Sequence, residues 1–317
     1  MKILGKFGRD DIAKVYVGDL RGDGRHVVEF VESLQPPIPR EEKWVLIVSS
    51  SFGCPMKCMM CDAGGRYFGR LETQEIIAQT DDMVLRRFPD RRIPVRKFKV
   101  QFARMGEPSL NPNVIEALER FPTTYDAPGL MACVSTVAPK GAGRFFDDLA
   151  DVKNENYDCG RFQIQFSIHT TDERMRDWLI PGEKWRLADI SRFGERFYEK
   201  GDRKITLNFA MTQGMPVVPE IVADEFDSEK FVIKMTPLNP TTSTKKNKLA
   251  SALDPMDLGS INGVRDGFER LGFEVIVSIG ELEENRIGSN CGQFVSRLNG
   301  LELEIKEDYE TTKYRLA

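Results

Sequence analysis

The stretch Ser49-Ser50-Ser51-Phe52-Gly53-Cys54-Pro55-Met56-Lys57-Cys58-Met59-Met60-Cys61-Asp62 decides how this chain is interpreted, because it places three thiols on one short loop. The cysteines have the spacing C-x3-C-x2-C, and the loop follows an apolar run at residues 44–48. Iron–sulfur cubanes are usually held by four cysteine thiolates, so three cysteines predict a cluster with one iron open to an exchangeable ligand. We therefore expect Cys54, Cys58 and Cys61 to bind a [4Fe-4S] cluster.

Two simpler interpretations of the three cysteines remain open on spacing alone. A structural zinc site normally uses four Cys or His ligands in paired short spacings. This chain has only two histidines, His26 and His169, and no second cysteine pair. Unrelated buried cysteines are the other alternative, because free cysteine is often a core residue.

Composition limits the class of protein and its compartment. A chain of 317 residues can hold one large α/β domain with appendages, or two domains. The sequence has no apolar run of membrane-spanning length and no signal-peptide pattern at its start, so we expect no membrane partner. Six cysteines without a disulfide-like pattern predict the reducing cytoplasm.

The charge balance bears on the kind of partner. The chain has 45 basic and 49 acidic residues, which gives a net charge of −4. Nucleic-acid binders are usually basic, because neutralising phosphates drives their affinity. The balance argues against a large RNA-binding surface but leaves room for a local basic patch.

From residue 44 onward, strand and helix patterns alternate, which predicts an α/β fold with a parallel sheet. The predicted strands are 44–50, 98–102, 130–136, 161–169, 204–212 and 231–237. The predicted helices are 73–88, 111–121, 145–152, 187–200, 218–226 and 256–271. Six such units in series predict a partial (β/α)6 barrel over 44–273. We expect a small β-rich N-terminal extension at 1–43, with a strand at 26–32, and a C-terminal strand and loop segment at 274–317 that carries Cys291.

The fourth predicted strand has one wholly polar face. Gln163, Gln165, Ser167 and His169 alternate with apolar residues along it. Parallel strands covered on both faces are normally almost entirely apolar, so this face indicates a barrel interior that encloses a ligand. An exposed edge strand is the alternative.

Polar residues also gather where the predicted strands end. Gly106 and Glu107 follow the second strand, Ser135 ends the third, Ser167 and His169 end the fourth, and Asn239 follows the sixth. In barrels of this kind the active groups lie at the C-terminal ends of the strands. Each residue alone could belong to an ordinary turn or have a structural role, but together they suit an amino-acid head group and a ribose.

The order of these motifs resembles one family. The segments VSSSFGCPMKCMMC, MGEPSLNPN, VST, FSIHTTDERMRDWLIP, MTPLNP and NCGQF together resemble the radical SAM RNA-adenine methyltransferases of the RlmN and Cfr group, over about residues 44–294. The resemblance implies a barrel of radical SAM type, a [4Fe-4S] cluster on the three cysteines and S-adenosyl-L-methionine (SAM) on the open iron.

The same resemblance implies roles for the other residues. Gly106 and Glu107 would hold the SAM head group, and Ser135, Ser167, His169 and Asn239 would line its ribose and adenine. Cys291 would carry a methyl group and deliver its carbon to an unactivated carbon of a nucleic-acid base or a related substrate. The implied partners are SAM, an RNA (tRNA is one candidate) or a small molecule, and an electron donor such as flavodoxin or ferredoxin.

The chain departs from the family pattern at several positions. Ile47 stands where the family has a second cysteine that resolves the covalent adduct, and Cys133 is the one replacement the sequence offers. Cys133 is equally compatible with a core position. Arg104 replaces a family glycine and could meet a substrate anion or pair with a neighbouring acid. A family acid could correspond to Glu29 or to Glu32.

Three functions follow, in order of preference. The first is a radical SAM C-methyltransferase that uses Cys291. The second is a radical SAM enzyme that performs another 5′-deoxyadenosyl-radical reaction on a small molecule without methylation of Cys291. The third, a non-catalytic iron–sulfur or zinc module, leaves the polar strand-end residues without a purpose.

Overall fold

The computed structural model describes residues 1–290, 294–295 and 311–316. Within these residues, ten of the twelve strands form one open sheet. The strands are β1 (Lys2–Gly8), β2 (Ala13–Asp19), β3 (Val27–Ser33), β4 (Lys43–Val48), β5 (Ser51–Gly53), β6 (Tyr67–Arg70), β7 (Lys97–Phe102), β8 (Leu130–Thr136), β9 (Phe162–Ser167), β10 (Ile205–Met211), β11 (Phe231–Pro237) and β12 (Val275–Val277). The helices are α1 (Thr73–Leu85), α2 (Asn113–Thr124), α3 (Gly143–Asn156), α4 (Glu173–Leu179), α5 (Leu187–Phe197), α6 (Pro219–Glu225), α7 (Thr242–Lys246), α8 (Asn262–Arg270), α9 (Leu282–Ile287) and α10 (Thr311–Tyr314).

The strand order is β1-β2-β3-β4-β7-β8-β9-β10-β11-β12, and β5 pairs with β6 in a separate hairpin. From β4 to β12 every neighbouring pair in the sheet is parallel. The first three strands are antiparallel and extend the same sheet beyond β4. The parallel part therefore has seven strands, and β12 lies in the segment predicted to follow the barrel.

Each parallel strand has an apolar face toward the helices and a more polar face toward the inside of the curved sheet. In β4 and β7 the buried residues alternate with partly exposed ones, and Trp44 packs against Phe98 with ring centroids 5.3 Å apart. In β9, Phe162, Ile164 and Phe166 are buried, while the residues between them are less so. The alternation follows from the two-residue repeat of a strand.

The structure confirms the predicted partial barrel. Strands β8 and β11 have the predicted bounds, and the other four predicted strands differ by one or two residues at an end. β9 lies between β8 and β10, so the alternative that its polar face belongs to an edge strand is wrong. The division into segments 1–43, 44–273 and 274–317 stays a prediction.

The helices show where local signals were missed. Helix α4 was not predicted, although Asp172 caps it by accepting a hydrogen bond from the Met175 N–H at 2.9 Å. Helix α8 starts at Asn262 and not at residue 256, because a 3-10 turn, Leu258–Ile261, precedes it. Segment 240–251, for which no helix was predicted, contains α7, whose first turn is capped by Thr241.

Among the described residues, no helix combines the length and the apolar character that a membrane crossing needs.

Candidate active site

One cavity of about 390 Å³ brings together the residues singled out in the sequence. Nine of the ten predicted site residues line it: Cys54, Cys58, Cys61, Gly106, Glu107, Ser135, Ser167, His169 and Asn239. The tenth, Cys291, lies outside the described residues, although Asn290 before it also lines the cavity. Residues more than 180 positions apart in the sequence thus meet where the parallel strands end.

The cysteine loop is held by hydrogen bonds within it and to distant parts of the chain. The Met59 N–H donates to the Leu179 carbonyl at 2.9 Å, and the Cys61 N–H donates to the Cys58 carbonyl at 3.0 Å. The Thr241 hydroxyl donates to the Met60 carbonyl at 2.8 Å. The loop is therefore fixed against α4 and against the segment that follows β11.

The loop offers three partly buried thiols as metal ligands. Burial raises the pKa of Cys54 to about 12, and the neighbouring Cys61 acts in the same direction. Within the ranges that the structure describes, no three Cys, His, Asp or Glu side chains converge on one point as the ligands of a single ion do. Cysteines that hold a cubane bind different irons, so they do not need such convergence.

Glu107 is a buried carboxylate with well-defined partners. Its Oε1 accepts hydrogen bonds from the Ser109 hydroxyl at 2.8 Å and the Thr136 hydroxyl at 2.5 Å, and its Oε2 accepts the Val137 N–H at 2.9 Å. Burial raises the pKa of Glu107, and these donors oppose that shift. Because a carboxylate oxygen can accept two hydrogen bonds, Oε2 has capacity left for a donor in the cavity.

Gly106 occupies a position that only glycine fits. Its φ is +100°, and a Cβ there would lie 2.0 Å from the Ser51 hydroxyl oxygen and 2.6 Å from that of Ser50. The Ser50 N–H donates to the Met105 carbonyl at 2.7 Å, which joins the end of β7 to the start of the cysteine loop. The absence of a side chain thus brings the Gly-Glu turn close to the loop.

His169 is neutral and has a defined tautomer. Its Nδ1 accepts the Ala210 N–H at 3.0 Å, so the ring proton lies on Nε2. Burial lowers the pKa of His169 to about 4, and the nearby Arg176 charge acts in the same direction. The imidazole therefore offers one N–H donor to a ligand in the cavity.

Arg104 pairs with an acid. Its Nη2 lies 2.5 Å from Glu29 Oε2, and both side chains are buried. Glu32 faces a different environment, where Arg87 Nε donates to it at 2.8 Å and Tyr16 at 2.7 Å. Of the two acids in the N-terminal extension, Glu29 is thus the one whose partner, Arg104, lines the cavity.

The Glu29–Arg104 pair also holds the backbone on both sides of residues 291–293. Arg104 donates to the carbonyls of Gly288 at 2.9 Å and of Ser289 and Asn290 at 3.0 Å each. Glu29 Oε1 accepts the Val295 N–H at 2.6 Å. Several buried hydrogen bonds to one ion pair fix this part of the chain against β3 and the end of β7.

Ile47, at the position of the family's second cysteine, and Cys133, its candidate replacement, have different surroundings. Ile47 lines the cavity, so an apolar side chain stands where the family has the resolving thiol. Cys133 is 1% exposed and lies on β8 beside Gln101 and Gln163 of the adjacent strands. Burial of this degree is typical of a core cysteine.

Some residues of the cavity were not identified as site residues from the sequence. Gln101, Thr136, Asn208, Lys234 and Thr236 line it. A signal was available, because polar residues alternate with apolar ones in β10 and β11 as they do in β9.

The sequence comparisons point to one group of proteins, although no protein-family model matches the chain. Three curated relatives carry the name probable dual-specificity RNA methyltransferase RlmN. The relative from Prochlorococcus marinus (strain NATL2A) is 26% identical over 65% of this chain and 54% of its own length. That from Synechococcus sp. (strain CC9311) is 31% identical over 56% and 50%. That from Parasynechococcus marenigrum (strain WH8102) is 24% identical over 83% and 73%. The chain spans about half the length of the first two.

Solved structures agree on the fold. A radical SAM methyltransferase from Sphaerobacter thermophilus superposes with a TM-score of 0.67 at 18% identity, over 88% of this chain and 76% of that one. SuiB from Streptococcus suis, solved with S-adenosylmethionine, gives 0.51 at 17% identity, over 74% and 50%. By sequence the chain is similar to relatives named RlmN, and its fold is similar to that of a radical SAM methyltransferase.

Proposed function

We propose that this protein is a radical SAM methyltransferase in which Cys54, Cys58 and Cys61 hold a [4Fe-4S] cluster and SAM occupies the cavity beside them. The single observation that carries the proposal is the convergence of the cysteine loop and the strand-end polar set on one cavity. The relatedness to RlmN supports methyl transfer as the reaction class.

The donors present fit both cofactors. Three thiols from one anchored loop suit a cubane that keeps one iron open. In this proposal Glu107 Oε2 would accept a hydrogen bond from the SAM amine, and His169 Nε2 would donate one to the ribose or adenine; the free acceptor and donor capacity of these atoms supports it. When bound, the cluster and SAM supply an electron, a hydrogen-abstracting radical and a methyl group. The protein would orient these groups through fixed polar side chains such as Glu107.

We propose Cys291 as the residue that carries the methyl group. Support comes from its neighbours in the chain, since Arg104 holds the three carbonyls before it and Asn290 lines the cavity. Rigid flanking backbone is what a thiol needs if it is to meet first a sulfonium methyl and then an acceptor carbon. The acceptor is proposed to be an unactivated carbon of a nucleic-acid base, in RNA such as tRNA, or of a small molecule. An external electron donor such as flavodoxin or ferredoxin and a cytoplasmic location complete the proposal.

The test is the intact mass of anaerobically reconstituted protein after incubation with SAM. We expect one added methyl group, mapped to Cys291, in the wild type and in a Cys159→Ala control, whose cysteine is exposed. In Cys291→Ala the methyl group should be absent while SAM cleavage continues. A methyl group on Cys291→Ala, or methyl transfer to substrate by this variant, would remove Cys291 from the mechanism.

A second function is favoured by one observation, namely that Ile47 lines the cavity where a resolving cysteine would stand. Without that thiol, release of a covalent adduct by disulfide formation has no partner at this position. The alternative is another 5′-deoxyadenosyl-radical reaction on a small molecule, with no methylation of Cys291. The mass experiment separates the two functions, because the alternative predicts 5′-deoxyadenosine without an added methyl group.

A further inference from the structure

Lysines project into the interior of the barrel below the cysteine loop. Lys43 and Lys97 begin neighbouring parallel strands and face each other in register, and Lys99 follows on β7. Lys234 on β11 lines the same cavity as the three cysteines. An enzyme interior with several cations and no obvious counter-charge needs a physical explanation.

Two of these lysines, Lys99 and Lys234, contact neutral amide side chains. Lys99 Nζ donates to Gln163 Oε1 at 3.0 Å, and Lys234 Nζ donates to Gln165 Oε1 at 3.3 Å. Among the described residues, no carboxylate lies within ion-pair distance of either ammonium group. The amides therefore position the lysines without neutralising them.

Two more deeply buried lysines of this chain are neutralised. Lys153 forms an ion pair with Asp202, and Lys184 forms one with Asp177 at 2.7 Å. Both of these side chains are 3% exposed. Lys99 and Lys234 are half-buried, and among the described residues neither has a carboxylate partner, unlike these two lysines.

Two of the barrel lysines, Lys97 and Lys234, lie in surroundings that disfavour their charge. Burial lowers the pKa of Lys97 to about 8, and the charges of Arg203, Lys43 and Lys99 act in the same direction. Burial likewise lowers the pKa of Lys234, with Lys99 adding to the effect. A bound anion would remove this penalty, because an opposite charge favours the ammonium form.

The side-chain oxygen of Asn208 is a further polar atom of the cavity, and it has no hydrogen-bond partner among the described residues. Asn208 is 7% exposed, and its Oδ1 accepts no hydrogen bond from any described residue. It lies directly beside Lys234 in the β10–β11 register and lines the same cavity. A buried amide oxygen without a donor is costly, so its presence points to a ligand that supplies one.

This site lies deeper in the barrel than the place proposed for SAM. Lys99 and Lys234 each lie three residues before the ends of their strands, Phe102 and Pro237. Three residues of strand correspond to about 10 Å of depth, whereas the cysteines and Glu107 follow the strand ends. Lys234 lines a cavity of about 390 Å³, a volume that suits a small molecule.

We propose that the substrate is a small molecule whose carboxylate or phosphate group binds between Lys99 and Lys234, next to a hydroxyl or amino group that donates to Asn208. The proposal rests on the proposed function and specifies the substrate class of that site. Two ammonium groups with fixed amide partners form an anion site that is selective for charge and adaptable in geometry.

The test is isothermal titration of the anaerobically reconstituted holoprotein with inorganic phosphate and, separately, with acetate, at constant ionic strength in chloride. We expect saturable binding of at least one anion. Binding of phosphate alone indicates a phosphate ester, and binding of acetate alone indicates a carboxylate. Lys99→Met and Lys234→Met should each weaken binding about tenfold or more, because a charge-assisted hydrogen bond is lost.

Two further variants make the result decisive. Lys140→Met, at an exposed position, should bind like the wild type. Lys234→Arg keeps the charge and should retain binding even if the methionine variants fold poorly. Absence of anion binding in a holoprotein that contains iron and cleaves SAM would overturn this inference alone. Equal binding by all variants would place the anion elsewhere and would also overturn it. Failure to load iron at all would instead contradict the proposed function.

Discussion

The buried pair of Arg104 and Glu29 gives a stability prediction that can be worked from the structure. Arg104→Met removes a guanidinium whose side chain is 1% exposed and leaves the fully buried Glu29 carboxylate without its partner. Breaking a buried pair in this way costs about 3–5 kcal/mol. Three carbonyls at residues 288–290 also lose a donor. We therefore expect the free energy of unfolding to fall by about 3–5 kcal/mol.

The assay is urea unfolding followed by far-ultraviolet circular dichroism, with the midpoint and the slope fitted together. Arg120→Met is the matched control, because it breaks an ion pair with Glu116 in which both side chains are more than 40% exposed. Such surface pairs contribute about 0.5 kcal/mol or less. If Arg104→Met is no more destabilising than Arg120→Met, the buried pair does not stabilise this part of the fold.

A double-mutant cycle isolates the pair from the carbonyl contacts. Glu29→Gln keeps the shape of the side chain and leaves Arg104 its three carbonyl partners, so it should cost less than Arg104→Met. The double variant Glu29→Gln with Arg104→Met should be less destabilised than the sum of the single variants, by about 1 kcal/mol or more. Strict additivity would show that the two side chains act independently and would contradict the account of the ion pair.

Two further predictions concern the cofactor cavity. Gly106→Ala places a Cβ 2.0 Å from the Ser51 hydroxyl oxygen at a φ of +100°, so it should destabilise the fold by about 1–3 kcal/mol and weaken SAM binding in equilibrium dialysis. Gly201→Ala, also at positive φ but with open space around it, should leave SAM affinity unchanged, and unchanged affinity in both variants would count against close approach at Gly106. For His169 the folded-state pKa of about 4 lies below the usual 6.5, so its contribution to stability is present above about pH 6.5 and is lost as the pH falls toward 4. The loss amounts to about 3 kcal/mol, and His169→Gln should remove that part of the pH dependence of the urea midpoint, whereas an identical pH profile would refute a buried neutral imidazole.

The sequence was most informative where hydrophobic patterning and spacing act locally. Strand β8 was predicted with its observed bounds, because an apolar run between turn residues leaves few alternatives. The polar face of β9 was correctly assigned to the interior of the barrel, where Gln165 and Ser167 line the cavity, because alternation fixes which side chains share a face. Nine predicted site residues meet because parallel strands place their C-terminal ends at the same edge of the sheet.

Long-range pairing could not be predicted in the same way. Glu29 and Arg104 are 75 residues apart in the sequence, and nothing local distinguishes Glu29 from Glu32 as the partner. Glu32 is buried too, but it contacts Arg87 and Tyr16 instead, which only the strand register reveals. Helix α4 was missed for a different reason, since its seven residues are too few for periodicity to show, although its Asp172 cap was readable.

The most direct test of the central claim is the metal content of the anaerobically reconstituted protein, measured together with the electron paramagnetic resonance spectrum of the reduced protein with and without SAM. The account predicts about four irons and four sulfides per chain and a spectrum that changes when SAM is added. Single Cys→Ala substitutions at positions 54, 58 and 61 should abolish the cluster, and Cys159→Ala should not. Stoichiometric zinc in place of iron, or a cluster whose spectrum is insensitive to SAM, would contradict it.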